Sequence, residues 1–529
     1  MAPWLCRGML RDLRRRLPYY ISDWRDAWDY RVVPATVYMF FANILPALAF
    51  SLDMFTSTHH HYSVSAVLLA SVLGAVVFSV FACQPLVIVG VTGPITVFNY
   101  TVYDILHASS PDTNYMAFMC WIGLWSFAFH TILAVTNSCN LLRHVTRFPC
   151  DIFGFYVACI YIQKGIQVLE RLGADASFYL SIVLALLVFI VSYTAAKVGE
   201  SSLFTHPVRV FLADYGTPLT LVFFTGFVHI GRMRNVHVET LPTGQAFEPT
   251  GRSSWFVNPQ DVSVGDAFLA APFGVLLTIL FWFDHNVSSL IAQGTEFPLR
   301  KPAGFHWDLF LLGITTAVAG ILGIPFPNGL IPQAPFHTKS LCVTSLSETS
   351  SSSSTADEKP RVVPVITHVV EQRVSNLAQG LFTLVAMTGP LLHVLHLIPH
   401  GVLAGLFFVM GVQALEGNGI TAKLVFLVQD GNLTPHNHAL RLAGRGGVRN
   451  KAVWMFVVIQ LVGFGATFAI TQTIAAVGFP VFIMLLIPIR AWLLPKVFTE
   501  EELAALDGPT ASDFTMESCS TGGESLPRM

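Results

Sequence analysis

One carboxylate stands inside an otherwise apolar run, Phe281-Trp282-Phe283-Asp284-His285-Asn286-Val287-Ser288-Ser289-Leu290. An acid at the centre of a membrane helix costs about 2.5–3.5 kcal/mol on insertion scales, so it faces a bundle interior and marks an ion or proton pathway. Ser288 follows one turn on and shares the face of Asp284, whereas His285 points about 100° away. The competing reading is that Asp284 merely hydrogen-bonds a broken helix. Two other segments offer backbone chemistry. Val91-Thr92-Gly93-Pro94-Ile95-Thr96 interrupts one apolar stretch, and Ile324-Pro325-Phe326-Pro327-Asn328-Gly329-Leu330-Ile331-Pro332 interrupts another. Each leads into a helical-looking run, and a helix starting there presents free N–H groups with partial positive charge of about +0.5. Such a terminus holds an anion or an oxygen-rich solute.

Summing these charges narrows the solute. The second run begins with Gln333, where a cation would have strengthened an anion site, and the first carries no Lys or Arg. Asp284, if ionised, offsets both dipole ends, so the site suits a weakly charged or switchable solute and makes proton coupling through Asp284 the expectation. The candidate substrate-binding residues are Thr92, Gly93, Pro94, Asp284, Ser288, Asn328, Gly329 and Gln333. Gly74, mid-span, is expected to matter for packing alone.

The elements that must position these residues are membrane helices. With 53% hydrophobic and 12% charged residues, the chain falls well outside soluble composition, where about 25% are charged. Spans of about 20 residues read clearly at 33–52, 63–82, 115–138, 178–198, 208–230, 271–293, 307–323, 376–392 and 452–471, with shorter or broken ones at 92–106, 149–166, 327–342, 399–416 and 474–494. The predicted fold is all-α and polytopic, with about fourteen spans, seven in each half, and half-helices at spans three and ten. The two interruptions are in register, about 58 residues after the apolar part opens near Pro34 and about 57 after it reopens near Ala271. Paired broken segments in two halves are the sequence pointer to a secondary transporter's binding site.

The organisation follows as a cytoplasmic N-terminal segment (1–32), a first repeat (33–230), an extracellular loop (231–270), a second repeat (271–495) and a cytoplasmic tail (496–529). The Ser-rich stretch within 343–370 reads as a disordered cytoplasmic loop, and the polar tail after Glu500 likewise reads as disordered. Basic residues such as Arg14, Arg15, Arg16, Arg143, Arg147, Arg300, Lys301, Arg441 and Arg445 place both termini on the cytoplasmic side by the positive-inside rule. A near-neutral charge of −2 gives no nucleic-acid signal. The eight cysteines form no C-x-x-C pair and read as buried thiols. His393, His396 and His400, and the run His59-His60-His61, lack accompanying acids, so neither an enzyme, a metal nor a cofactor is expected. A channel is disfavoured because no continuous polar stripe runs along the spans.

Phe283-Asp284-His285-Asn286-Val287-Ser288-Ser289, Gly93-Pro94 and Ile331-Pro332-Gln333-Ala334-Pro335-Phe336-His337-Thr338-Lys339-Ser340 resemble the borate transporters of fungi and plants. So do Glu371-Gln372-Arg373-Val374-Ser375 and Pro488-Ile489-Arg490, and together the likeness covers roughly 20–505. These transporters belong to the bicarbonate-transporter superfamily, the solute carrier 4 group. The resemblance implies that the two seven-helix repeats are inverted. It also implies a core domain (spans 1–4 and 8–11) that carries substrate and a gate domain (spans 5–7 and 12–14) that forms a homodimer contact in the bilayer. It places the family's span-eight acid on Asp284. Gln333 stands where anion exchangers carry a positive residue, as in borate transporters. The implied function is export of borate or boric acid by alternating access. Bicarbonate or another small anion is the alternative, and a nucleobase or sulfate carrier matches the surroundings of Asp284 and Gln333 less well. The plasma membrane is the implied location, with a vacuolar membrane as the other candidate.

Overall fold

Long apolar segments in lipid must satisfy their backbone internally, and helices dominate accordingly. The computed structural model describes residues 5–519 apart from 174, 245, 250, 251, 253, 350–360 and 431–447. Arg441 and Arg445 therefore lie outside the described residues, as does the tail beyond 519. Two short N-terminal helices, α1 (Arg7–Arg16) and α2 (Tyr20–Arg25), precede the first long ones, α3 (Val32–Ser57) and α4 (Val64–Phe81). Strand β1 (Val89–Gly90) then leads into α5 (Gly93–Ser109). Next come α6 (Tyr115–Val135), α7 (Arg147–Glu170), α8 (Ala176–Glu200) and α9 (His206–Phe227). The second half repeats the plan with α10 (Val264–Ala292), α11 (Phe305–Leu322), strand β2 (Asn328–Gly329) and α12 (Gln333–Ser340). After a hairpin, β3 (Cys342–Thr349) and β4 (Arg361–Val369), follow α13 (Val374–Ala386), α14 (Gly389–His396), α15 (His400–Glu416), α16 (Gly419–Val428), α17 (Asn450–Thr471) and α18 (Phe479–Pro488).

Among the described residues, ten helices are long and apolar enough to cross a membrane, and two bent pairs raise the figure to twelve. The two half-helices α5 and α12 start at the paired breaks. The pair α13–α14 turns by 84° and α15–α16 by 67°. The sequence reading ran one span through 376–392, but Pro390 in the first turn of α14 cannot donate to the preceding turn, so the chain bends there. It also left α16 inside a loop. The helices sort into two packed groups: α3, α4, α6, α10, α11 and α13 in one, and α7, α8, α9 and α15 in the other.

Two expectations are corrected. Within 343–370, read as disordered, β3 and β4 pair antiparallel from Cys342↔Val369 to Thr349↔Arg361, with a register shift at Val343/Thr344. The β-branched run Val362, Val363, Val365 and Ile366 favours strand over coil. The tail is ordered through residue 519 and adds α19 (Glu500–Leu506) and α20 (Asp513–Met516). Thr499 and Glu502 close a reciprocal capping box on α19, which satisfies two orphan N–H groups. Asp507 accepts from Arg490 Nε at 2.6 Å and Phe148 N at 2.7 Å, and Ser518 Oγ donates to Asp12 Oδ1 at 2.8 Å.

The N-terminal segment is docked by buried charge. Asp23, fully buried, accepts from Arg16 Nη2, Lys301 Nζ and Arg373 Nε, each at 2.9 Å. Lys301 also reaches Asp26 at 2.7 Å, while the carboxylate of Glu371 accepts from the backbone N–H groups of Arg300 and Lys301 at 2.6 and 3.1 Å. Three cations thus face three carboxylates, of which Asp23 and Glu371 are buried and Asp26 is half-exposed, so each buried cation has a carboxylate partner. Asp12 also accepts from His306 N at 2.9 Å, and burial pushes its carboxyl up to about 7. A folded-state value above the ordinary one stabilises the docked segment at low pH and loses that contribution as pH rises through about 7. Hydrogen exchange corrected for intrinsic rates should show α1 and 512–519 less protected at pH 8 than at pH 6. Asp12→Asn should flatten the difference; an unchanged pH dependence in that variant would assign it elsewhere.

Candidate functional site

The two breaks lie side by side. Gly90 pairs with Asn328 and Val89 with Gly329, antiparallel, and Leu330 N donates to Ile88 O at 2.8 Å. Backbone groups freed by breaking two helices are therefore satisfied by each other, the condition for irregular backbone at membrane depth. Because the pairing is antiparallel, α5 and α12 leave it in opposite directions, as inverted repeats require. The close approach is secured by glycine. A Cβ on Gly90 would stand 3.0 Å from Asn43 Oδ1, and one on Gly329 3.1 Å from both His285 Cα and His285 Nδ1. Gly74 belongs to the same arrangement, since its Cβ would lie 2.7 Å from Val89 Cγ1 and 2.9 Å from Val89 O. It is a packing position, and what it packs against is β1.

Asp284 fastens the pair to α10, which starts at Ser263, whose hydroxyl accepts from Asp266 N. Asn328 Nδ2 donates to Asp284 Oδ2 at 2.9 Å, and Asn328 Oδ1 accepts from Gly329 N at 2.8 Å. Ser288, one turn on, meets the position of a Gly329 Cβ at 3.0 Å. The buried atoms Ser288 Oγ, His285 Nδ1 and His285 Nε2 have no hydrogen-bond partner among the described residues, whereas buried polar groups normally have one. The His285 ring packs 5.0 Å from that of Phe78. At the other break Thr92 is the N-cap of α5, its hydroxyl accepting from Ile95 N at 3.4 Å while its carbonyl accepts from Thr96 Oγ1 at 3.0 Å. The Thr92 hydroxyl thus serves its own helix. Pro94 in the first turn has no N–H to offer, and Gly93 abuts the Phe50 ring at 3.3 Å from its Cβ position.

Gln333 opens α12, which has no side-chain cap. Its Nε2 donates to Ala42 O at 3.4 Å, and its side chain also hydrogen-bonds Tyr161 across the small cavity. It lines a cavity of about 80 Å³ with Tyr38, Ala42, Tyr161, Phe336 and Gln413. That cavity shares Pro332, Phe336 and Gln413 with a vestibule of about 630 Å³. The vestibule is walled by Ile291 and Ile331 on one side, by Cys150, Gly154 and Gly417 on the other, and by the tail residues Ala505, Leu506 and Pro509. Of the expected binding residues, Asp284, Ser288, Asn328 and Gly329 meet around the break, Thr92, Gly93 and Pro94 cap the facing half-helix, and Gln333 alone lines the small cavity. Sequence reasoning passed over Tyr161 and Gln413. Gln413 carried a signal, a polar side chain inside the apolar span 399–416; Tyr161 carried none.

With this geometry in hand, the chain was compared with known proteins. The profile of the HCO3- transporter integral membrane domain matches residues 4–178 and 167–511. A putative transporter of Schizosaccharomyces pombe is 54% identical over 94% of this chain and 95% of its own length. Boron transporter 1 of Saccharomyces cerevisiae is 44% identical over 97% of this chain and 87% of its own. The solved structure of murine solute carrier 26 member A9, an anion transporter in the inward-facing state, superposes with a TM-score of 0.51 at 12% identity, covering 93% of this chain and 72% of that one. That likeness establishes the fold.

The Asp284–Asn328 bond sets an energetic expectation. Asn328→Ala leaves a buried carboxylate without its donor, a loss of about 1–3 kcal/mol or more for a charged group. Thr92→Ala removes a helix cap worth about 1 kcal/mol. Thermal unfolding of the purified protein should therefore fall further for Asn328→Ala than for Thr92→Ala. The reverse order would remove Asp284 from its structural role.

Proposed function

The chain belongs to the family of the HCO3- transporter integral membrane domain, and on that premise we propose that it is a secondary transporter exporting borate or boric acid by alternating access. The observation that carries this reading is the 44% identity to a boron transporter along almost the whole chain. It is supported by a site whose half-helix starts carry glutamine and threonine rather than a fixed cation. Boric acid is a neutral, trigonal Lewis acid. It becomes tetrahydroxyborate by taking hydroxide from water and releasing a proton, so the solute is switchable in the sense the charge sum demands.

Asp284 can balance that switch. Boric acid, water and the Asp284 carboxylate convert to tetrahydroxyborate and the Asp284 carboxylic acid, with no change in the charge of the site. The acid keeps one oxygen for Asn328 Nδ2 and turns its O–H toward the partnerless Ser288 Oγ. Gln333 Oε1 accepts from a boron hydroxyl in either form. The vestibule opens on the face that holds both termini. With these cytoplasmic, the conformation is inward-facing and the plasma membrane is the natural site of export. The group α7, α8, α9 and α15, which exposes Leu186, Ile190, Phe211 and Phe223, forms the homodimer contact within the bilayer.

The test is flux from liposomes containing the purified protein, with boron read by elemental analysis and bicarbonate by internal pH. Boron flux well above bicarbonate flux is expected, and the reverse ratio would overturn the reading. Asp284→Asn and Asp284→Ala should each lower boron flux to below about a tenth of the parental rate, as for an intramembrane acid on the transport path. Parental rates in both would make the acid purely structural. Gln333→Arg should reduce boron flux without creating an efficient exchanger, because Asp284 would pair with the new buried charge. Undiminished flux there would place Gln333 outside the path.

A further inference from the structure

A second set of buried charges sits far from the vestibule. Lys164, seventeen residues along α7 from Arg147, lies about 26 Å further on at the helical rise. Lys164 Nζ meets Asp53 Oδ2 at 2.7 Å, and Arg171 Nη2 meets Asp53 Oδ1 at 2.7 Å. The side chains of Asp53 and Lys164 are 1% and 6% exposed, that of Arg171 37%. Asp53 belongs to α3, which packs with α4 and α13, whereas Lys164 and Arg171 belong to the end of α7, which packs with α15. The triad therefore ties one helix group to the other. Lys164 also stands 4.9 Å from the centroid of the Tyr100 ring on α5, the half-helix that starts at the break. At the vestibule the opposite holds. Arg147 and Glu296 face each other across its mouth at 3.9 Å with side chains 48% and 53% exposed.

One end of the intergroup boundary is thus closed by a short ion triad whose Asp53 and Lys164 are buried, and at the other a longer, half-exposed pair flanks the open vestibule. We infer that Asp53, Lys164 and Arg171 form the latch that holds the far face shut while the vestibule is open, and that this latch must part for the site to open on the far side. This rests on the alternating-access reading above but on no particular solute. Two cations share one carboxylate, so removing its charge leaves the buried Lys164 uncompensated beside the half-exposed Arg171. Opening that face hydrates both, which biases the protein toward the far-open state.

Thr295, exposed and lining the vestibule, is the label site, since Cys150 and Cys120 are buried. The full-length protein carrying Thr295→Cys in liposomes is treated with a small thiol reagent and modification at position 295 is followed by peptide mass spectrometry, with Cys120 as a buried control. Adding Asp53→Asn should lower labelling at 295 by about tenfold, the population change produced by about 1.4 kcal/mol, because the vestibule closes as the far face opens. Asp53→Glu should keep parental labelling. If Asp53→Asn is not monodisperse, Arg171→Gln at the exposed edge should give a smaller fall in the same direction. Parental labelling in a folded Asp53→Asn, or in Arg171→Gln where that variant is the one tested, would overturn the latch. Since no solute is needed, a failed boron flux assay and a failed latch are separate results.

Discussion

A helix broken in the middle of a bilayer must find partners for its backbone, and here two broken helices find them in each other. The Gly90–Asn328 and Val89–Gly329 pairing converts two liabilities into one rigid element, from which α5 and α12 diverge with their N-termini near the midplane. Everything else in the core group serves that element. Gly74 and Gly329 allow α4 and α10 to approach it within van der Waals contact, and Asp284 holds its second strand through Asn328. The structural role that the sequence set against transport is therefore present, and it does not exclude the other. One oxygen fixes the break, and the proton exchange proposed for the acid uses the other.

Charge elsewhere in the molecule is arranged to be balanced or shared. The three-by-three cluster around Asp23 binds the N-terminal segment to the α10–α11 connection and to the start of α13, with a carboxylate for each buried cation. The tail crosses from α18 and α7, through Asp507, to α1, through Ser518. It bridges both helix groups along the vestibule wall, so terminal segments that look like solvent-exposed appendages are part of the frame against which the groups move. The triad at Asp53 differs in kind, with two cations on one carboxylate at the boundary itself.

What the sequence made legible was what lipid makes expensive. Asp284 and the glycine–proline breaks at 93–94 and 325–332 stood out because each violates the rules for an apolar helix. Lys164 violates them equally inside the span 149–166 and was passed over, as was Asp53 just beyond the end of its predicted span. The pairing of the breaks was not legible, because two-residue strands carry no alternation pattern and their partners are separated by more than two hundred residues. The β3–β4 hairpin was masked by the Ser-rich stretch between its strands, which dominated the local composition. The ordered tail was missed because its anchors, Phe148, Arg490 and Asp12, are distant in sequence and its own residues are polar. Family resemblance supplied the inverted relation of the repeats and the division into core and gate, neither of which composition alone contains.

The most direct test of the joined-break site is hydrogen–deuterium exchange on the purified protein with and without boric acid. Protection should rise together in peptides covering 88–96 and 326–334, with no comparable change on adding bicarbonate, and the joint effect should vanish in Asp284→Ala. Protection confined to one break, or found only in peptides away from both, would contradict a substrate site built on their pairing.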